Sequence, residues 1–160
     1  MKIAIASDHA GFALKQTIIE FLNEQNFPCA DLGTYSDAPV DYPDYAQRIG
    51  VAVAGGEFER GVLLCGSGVG ASVAANKIKG VRAGLCHDTY SAHQGVEHDA
   101  MNILVMGARI VGTALAKELV EAFLAAEFTG EERHARRLGK IGALEDRFDR
   151  GKWEFSIGKM

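Results

Sequence analysis

Five short apolar runs, each followed by a segment with apolar residues at helical spacing, predict an α/β protein: a parallel sheet covered by helices on both faces. Two other observations agree. At 160 residues, 48% hydrophobic and 24% charged, the chain is one domain by length and can bury a substantial core. Polar residues able to do chemistry, among them Asp8, His9, Cys65, His87 and Asp88, begin where the apolar runs end, which is where ligands collect in such folds.

The first run, Lys2 to Ser7, is β-branched at Ile3 and Ile5 and gives way to Asp8-His9-Ala10-Gly11, a strand and its turn. From Phe12 the residues Leu14, Ile18, Phe21 and Leu22 fall at helical spacing until Asn26 and Pro28 close the helix. Cys29 to Leu32 reads as a short second strand, and residues 33–43 as a turn-rich loop carrying Asp37, Pro39, Asp41 and Tyr42. A second helix is expected from about Asp44 to Ala54, ended by Gly55-Gly56. Gly61 to Cys65 is the third strand, followed by a loop with Gly66, Gly68 and Gly70 and a helix from about Ala71 to Ile78. Val81 to Cys86 is the fourth strand, and after His87-Asp88 a helix runs from Thr89 to about Val96. His98-Asp99-Ala100-Met101 lead into the fifth, Asn102 to Met106, so His98 and Arg109 are expected to flank it beside the other strand-end residues. An amphipathic helix follows with Leu115, Leu119, Val120, Phe123 and Leu124 on one stripe. Residues 130–144 form a basic helix with Arg133, His134, Arg136, Arg137 and Lys140; on pattern alone it is a solvated face or a binding element.

The rest of the chain is organised around the loop after the third strand. Glycines at 66, 68 and 70 permit positive φ and close approach of backbone to a ligand. Whatever binds there meets amide N–H groups and the start of a helix, an arrangement suited to an anion or a developing negative charge. Cys65 stands at this cradle and is a candidate base or nucleophile, although a cysteine closing an apolar strand can equally be core. Gly66-x-Gly68-x-x-Ala71, with Asp88 some way beyond, also imitates a dinucleotide fingerprint. That fingerprint belongs to a first strand, and this chain leaves little room for a separate substrate domain. Ser67 lies outside the G-x-S-x-G elbow of the α/β-hydrolases, which disfavours acyl transfer. His87, His93 and His98 do not share a helical face as i, i+4 metal ligands would. Asp8 and His9 could serve only as a helix cap and its neighbour.

Charge and composition narrow the partners. A net charge of −4 argues against nucleic acid or a membrane surface, and no apolar run is long enough for a membrane span. Three cysteines give no disulfide framework, and the chain opens on a strand pattern instead of a signal peptide. A cytoplasmic protein without repeats is expected.

A thiol base, an amide cradle, a histidine acid and arginines suit proton abstraction beside a sugar carbonyl. The carbon acid is weak, so its enediolate oxygen needs preorganised donors. A base near neutral pKa must carry the proton, and arginines hold phosphate in bidentate fashion. That chemistry requires no cofactor.

At this point the residues carry a resemblance. Ala6-Ser7-Asp8-His9-Ala10-Gly11-Phe12, Asp41-Tyr42-Pro43, Leu64-Cys65-Gly66-Ser67-Gly68-Val69-Gly70, Ala74-Ala75-Asn76-Lys77, Asn102-Ile103-Leu104 and Gly107-Ala108-Arg109 together resemble the type B ribose-5-phosphate isomerases, whose family includes the galactose-6-phosphate isomerase subunits. The likeness spans about residues 1–144 and displaces the dinucleotide reading. It implies a three-layer α/β/α sandwich with a Rossmann-like sheet in the order 2-1-3-5-4, and a metal-free aldose–ketose isomerase with no cofactor. It further implies a homodimer or dimer of dimers whose sites are shared between subunits, acting on a small sugar phosphate. D-Ribose 5-phosphate is the expected substrate. A hexose 6-phosphate, or a non-catalytic sugar-phosphate sensor on the same fold, is the alternative.

Carried over residue by residue, the resemblance makes Cys65 the base that moves a proton between C2 and C1, and His98 the group that opens the furanose ring. The amides of Gly66, Ser67, Gly68, Val69 and Gly70 would hold the enediolate, with Ser67 among the catalytic residues. Asp8 would bind sugar hydroxyls, His9, Arg109, Arg133 and Arg137 would surround the phosphate, and Tyr42, Asp99 and His134 complete the site. Some relatives use a Glu after the glycine loop as base, but Ala71 stands there. Asp99 also departs from the family's usual Asn: an ionised carboxylate only accepts where the amide donates. The domain is expected to end at 144, and residues 145–160, with Trp153 and Phe155, to pack on a neighbouring subunit.

Overall fold

The structure is a computed structural model that describes residues 1–149. Five parallel strands, β1 (Ile3–Ser7), β2 (Cys29–Asp31), β3 (Arg60–Cys65), β4 (Ala83–Leu85) and β5 (Ile103–Gly107), form one sheet in the order β2-β1-β3-β5-β4. That is the order the resemblance implied. Between and after them run α1 (Phe12–Glu24), α2 (Tyr42–Ala54), α3 (Val69–Ala75), α4 (Thr89–Asp99), α5 (Thr113–Ala125) and α6 (Glu132–Asp149).

Alternate strand residues face opposite sides, and the two sides have separate cores. On one, Ile5, Val62, Leu64, Leu104 and Met106 meet Ile18 and Leu22 of α1, Ala92 and Val96 of α4, and Leu119 and Phe123 of α5. On the other, Ala4, Ala6, Leu63, Cys65, Ile103 and Val105 meet Ala46, Ile49 and Val53 of α2 and Ala71 and Ala75 of α3. Each large aliphatic or aromatic side chain so buried contributes about 1.5–3 kcal/mol. Helices on both faces explain why all five residues of β1 and of β5 are buried.

Several boundaries differ from the sequence expectation for local reasons. α2 starts at Tyr42 because Asp41 is extended at the cap and Pro43 sits in the first turn, where a missing N–H costs nothing. α3 occupies Val69–Ala75 instead of residues 71–78, since Gly68 makes its turn at φ +82° directly before it. Asn76 ends that helix, its side chain bonding Ser72 O (3.0 Å), Ala83 O (2.8 Å) and Ala83 N (2.9 Å). β4 is an edge strand of three residues. α4 continues past Val96 to Asp99 and closes at Ala100 with φ +49°, so His98 belongs to a helix and not to the approach to β5. Position 144 falls inside α6; Trp153 and Phe155 lie outside the described residues.

The chain order creates a hollow. After β1 the chain passes to α1 on one face of the sheet, and after the neighbouring β3 it passes to α3 on the other. The two loops diverge, and the gap between them lies at the carboxyl ends of the strands.

Candidate active site

That gap is a cleft of about 390 Å³, lined by Asp8, His9, Tyr42, Cys65, Ser67 and Arg109 together with the glycine loop. Cys65 is the last residue of β3 and only 5% exposed. It sits at the floor, and its Sγ accepts a hydrogen bond from the Gly68 amide at 3.1 Å. Gly68 has no substitute here: a Cβ would stand 2.3 Å from Leu85 Cδ1 and 3.2 Å from the Gly107 nitrogen. The Val69 amide bonds Ser67 Oγ at 3.4 Å, which leaves Gly70 and Ala71 among the first-turn amides with no intrahelical acceptor.

Four other groups converge on the loop. Tyr42 lies against Gly70, whose absent Cβ would come within 2.7 Å of the ring. The Arg109 guanidinium stands over Gly66, with Cζ and Nε at 3.6 Å from where its Cβ would be, and the Arg109 amide bonds Gly66 O at 3.0 Å. Asp8 accepts from the Gly11 amide through Oδ1 at 2.9 Å, and Gly11 is needed because a Cβ would be 2.8 Å from the Leu64 backbone. His9 Nδ1 is 3.2 Å from both the oxygen and the nitrogen of Val40, which ties His9 to the segment before α2. The cleft thus presents a thiol, a carboxylate, two cationic or donor groups and free amides, enough to bind an anion and move a proton at carbon.

The remaining expected site residues are elsewhere, which corrects the placing of His98 beside the other strand-end groups. α4 runs antiparallel to the strands, so His98 at its last turn lies by the start of β5, while Cys65 pairs with Gly107 at its end. The two ends of this five-residue strand are roughly 13 Å apart. Around His98 a second cluster forms with Arg133, His134 and Arg137 of α6. His134 is 1% exposed and stacks on His98, ring centroids 4.0 Å apart and planes 23° apart. Neither His134 ring nitrogen has a hydrogen-bond partner; the nearest carboxylate oxygen, Glu131 Oε2, is 3.7 Å from Nε2. Burial, with the charges of His98 and Arg133, holds its pKa below the ordinary imidazole value. Arg133 and Arg137 are exposed and, four apart, share a face of α6.

Three further residues lie outside the cleft. Asp99 lies on a larger groove of about 890 Å³ along β4, with Arg82, Met101 and Leu144, and not in the cleft. Val69 is 54% exposed and outside the cleft lining. Asp88, at a strand end, caps α4 instead: it accepts from Ser91 N (2.7 Å) and Ser91 Oγ (2.8 Å), bonds that hold its carboxyl below the usual range. Two residues escaped the sequence reading. Gln94 places Nε2 at 2.6 Å from His98 Nδ1, a pairing that i, i+4 spacing on α4 could have revealed. Lys15 is fully buried, bonding the Asp31 carboxylate and, at 2.6 Å, Thr34 O; its place three residues before Ile18 on the apolar stripe of α1 was the available signal.

Residues 3–141 match the sequence profile of the family described as Ribose/Galactose Isomerase. The chain belongs to that family. Within it, the ribose-5-phosphate isomerase B of Escherichia coli K12 is 47% identical over 146 residues, 91% of this chain and 97% of the relative. A solved structure of Clostridium thermocellum ribose-5-phosphate isomerase B superposes with a TM-score of 0.90 at 46% identity, covering 92% of this chain and 99% of that one. The same enzyme from Mycoplasma genitalium, solved with bound ribulose-5-phosphate, gives 0.85 at 41% identity, covering 91% and 96%. The type B likeness read from the motifs therefore holds over most of the chain, and the protein is an isomerase.

Proposed function

We propose that this protein interconverts D-ribose 5-phosphate and D-ribulose 5-phosphate, without metal or nucleotide cofactor, in sites completed by a second copy of the chain. The observation that carries the reading is the buried Cys65 thiol, bonded to the amide loop at the floor of a cleft that also holds His9 and Arg109. The relatives named for this reaction, and the ribulose-5-phosphate bound by one of them, support the choice of substrate.

His98 of a second copy opens the furanose ring, giving a proton to the ring oxygen as its bond to C1 breaks while the C1 hydroxyl loses one. Cys65, as thiolate, takes the proton from C2. The electron pair moves through the C1–C2 bond onto the carbonyl oxygen, and the loop amides stabilise that enediolate as fixed donors. The thiol then returns the proton to C1 while the C2 hydroxyl passes its own proton to O1, which leaves the ketose carbonyl at C2. Asp8 accepts from sugar hydroxyls. Arg109 and His9 of one chain, with Arg133 and Arg137 of the other, hold the phosphate, where the planar guanidinium fork matches its oxygens. The distance between the Cys65 and His98 clusters within one chain supports the need for a second copy. Three free cysteines support a reducing compartment, the cytoplasm; no helix among the described residues is long and apolar enough to cross a membrane.

The test is an isomerase assay over pentose and hexose phosphates, before and after dialysis against EDTA. The highest kcat/KM should fall on ribose 5-phosphate and survive the chelator. Preference for a hexose phosphate would replace the substrate, binding without turnover would make the protein a sensor, and activity restored only by zinc or manganese would overturn the metal-free mechanism.

A further inference from the structure

His98 has a hydrogen-bonding neighbour on its own helix. Gln94 and His98 are four residues apart on α4 and so lie one above the other. The Gln94 amide nitrogen is 2.6 Å from His98 Nδ1. In this orientation the amide nitrogen is the donor and Nδ1 the acceptor, the arrangement of an imidazole that carries its proton on Nε2. On the other side the His134 ring lies flat against His98 at 4.0 Å, which removes the freedom to swing out of the contact. In a neutral imidazole the partner of one nitrogen determines the state of the other.

We infer that Gln94 is a positioning residue for His98: by donating to Nδ1 it keeps the proton of the neutral ring on Nε2, the nitrogen left to face a ligand. The inference rests on the assignment of ring opening to His98 and deepens it. Opening a cyclic sugar needs a proton delivered to the ring oxygen as the C1–O bond breaks. Nε2–H supplies it, and the resulting bare Nε2 can take the proton released by the C1 hydroxyl, so the ring is restored and atoms balance. An imidazole with its proton on Nδ1 would present a bare nitrogen, able to accept but not to give. The substrate class this serves is a phosphorylated aldose that closes into a ring; an open-chain sugar phosphate gains nothing from it.

The experiment compares the wild-type protein with Gln94→Glu, whose carboxylate only accepts and therefore calls the proton to Nδ1. Long-range proton–nitrogen NMR on 15N-histidine protein, at a pH where His98 is neutral, reads the tautomer directly, with the His98→Asn spectrum to assign the signal. Wild type should show the proton on Nε2, and Gln94→Glu should move it to Nδ1. In parallel, turnover is measured on ribose 5-phosphate and on a four-carbon aldose 4-phosphate, whose esterified terminal hydroxyl cannot close a furanose. Gln94→Glu should depress the cyclic rate relative to the acyclic one, by up to the order of 10²-fold that a general acid contributes. A wild-type ring protonated on Nδ1, a tautomer unchanged in Gln94→Glu, or equal losses on both substrates would each overturn the inference. The underlying reading fails separately: if His98→Asn itself loses both activities equally, His98 does not open the ring, whatever the tautomer shows.

Discussion

The His134 imidazole lies flat on that of His98, 4.0 Å between ring centroids, inside a contact that leaves both His134 nitrogens unbonded. A ring so enclosed resists protonation, and its pKa is lowered by burial first and by the neighbouring positive charges second. The sign follows by linkage. Above the ordinary imidazole value of about 6.5 the ring is neutral folded or unfolded. As pH falls below it the unfolded chain takes a proton that the folded one refuses, so stability declines toward the folded pKa. Urea unfolding at about pH 7.5 and about pH 5.5 should show this loss, and His134→Phe, which keeps an aromatic plate without titrating, should reduce it. An acid loss of wild-type size in His134→Phe would assign the effect to another group.

Sharing of the site is tested by complementation. Cys65→Ala chains, nearly inactive alone, and Arg137→Ala chains, impaired at low substrate concentration, should recover activity there when mixed under exchange, because some hybrid sites join an intact Cys65 to an intact partner Arg137. Verified hybrids as inactive as their parents would return the arginine to its own chain's site. The single Arg137→Ala change should raise KM, and lower kcat too if phosphate binding energy orients the reacting carbons.

Removing the base should separate chemistry from binding. Cys65→Ala is expected to lose exchange of the C2 proton with solvent, by at least the 10²–10⁴-fold typical of a general base, while titrating with sugar phosphate close to wild type. Retained exchange, followed by proton NMR in heavy water, would move the base elsewhere.

Lys15 supports the turn that leads into the cleft. Its ammonium bonds Asp31 and Thr34 O, while Thr34 N bonds Ser7 O, next to Asp8. Lys15→Met would leave a carboxylate without its cation, a change that costs about 3–5 kcal/mol when both charges are buried. The lower end is expected, since the Asp31 side chain is 26% exposed and keeps the Gly33 amide. Denaturant midpoints measure it, and a cost under about 1 kcal/mol would match a surface pair.

Gly68 joins fold to site. At φ +82° a side chain is strained, by about 1–3 kcal/mol, and its Cβ would also strike Leu85. Gly68→Ala should therefore lower stability and displace the amide that meets Cys65, reducing kcat more than Gly56→Ala, another positive-φ glycine with nothing within 4 Å of its missing Cβ. Equal kcat losses would deny the loop a special role.

Much of this was legible in advance, because parallel strands buried on both faces are short apolar runs and their ends are marked by turn residues. Asp8, His9, Cys65 and Arg109 of the cleft were readable for that reason, since each ends or closely follows a strand, whereas Tyr42, expected in a loop before the second helix, came from the family likeness. His98 was misplaced because three further residues of α4 carry it to the last helical turn, and a helix end set by Ala100 in the left-handed region has no strong signal in Ala. Asp99 shows the same limit, since which side of a helix a residue takes depends on where that helix starts and ends. The sheet order came from family likeness, as nothing in local spacing orders strands. Lys15 went unseen because its partner Asp31 is distant in sequence and meets it only after folding.

The hollow between β1 and β3 follows from connectivity and not from the residues around it. Loops that leave neighbouring strands for opposite faces must part, whatever they are made of, and of the residues lining the cleft only Cys65 belongs to a core beneath it. Over evolutionary time, then, occupancy and chemistry are separable. Tyr42 or Ile110, both on the cleft lining, can be exchanged to admit a different sugar with the sheet undisturbed, and a descendant that lost Cys65 would inherit a receptor for the former substrate.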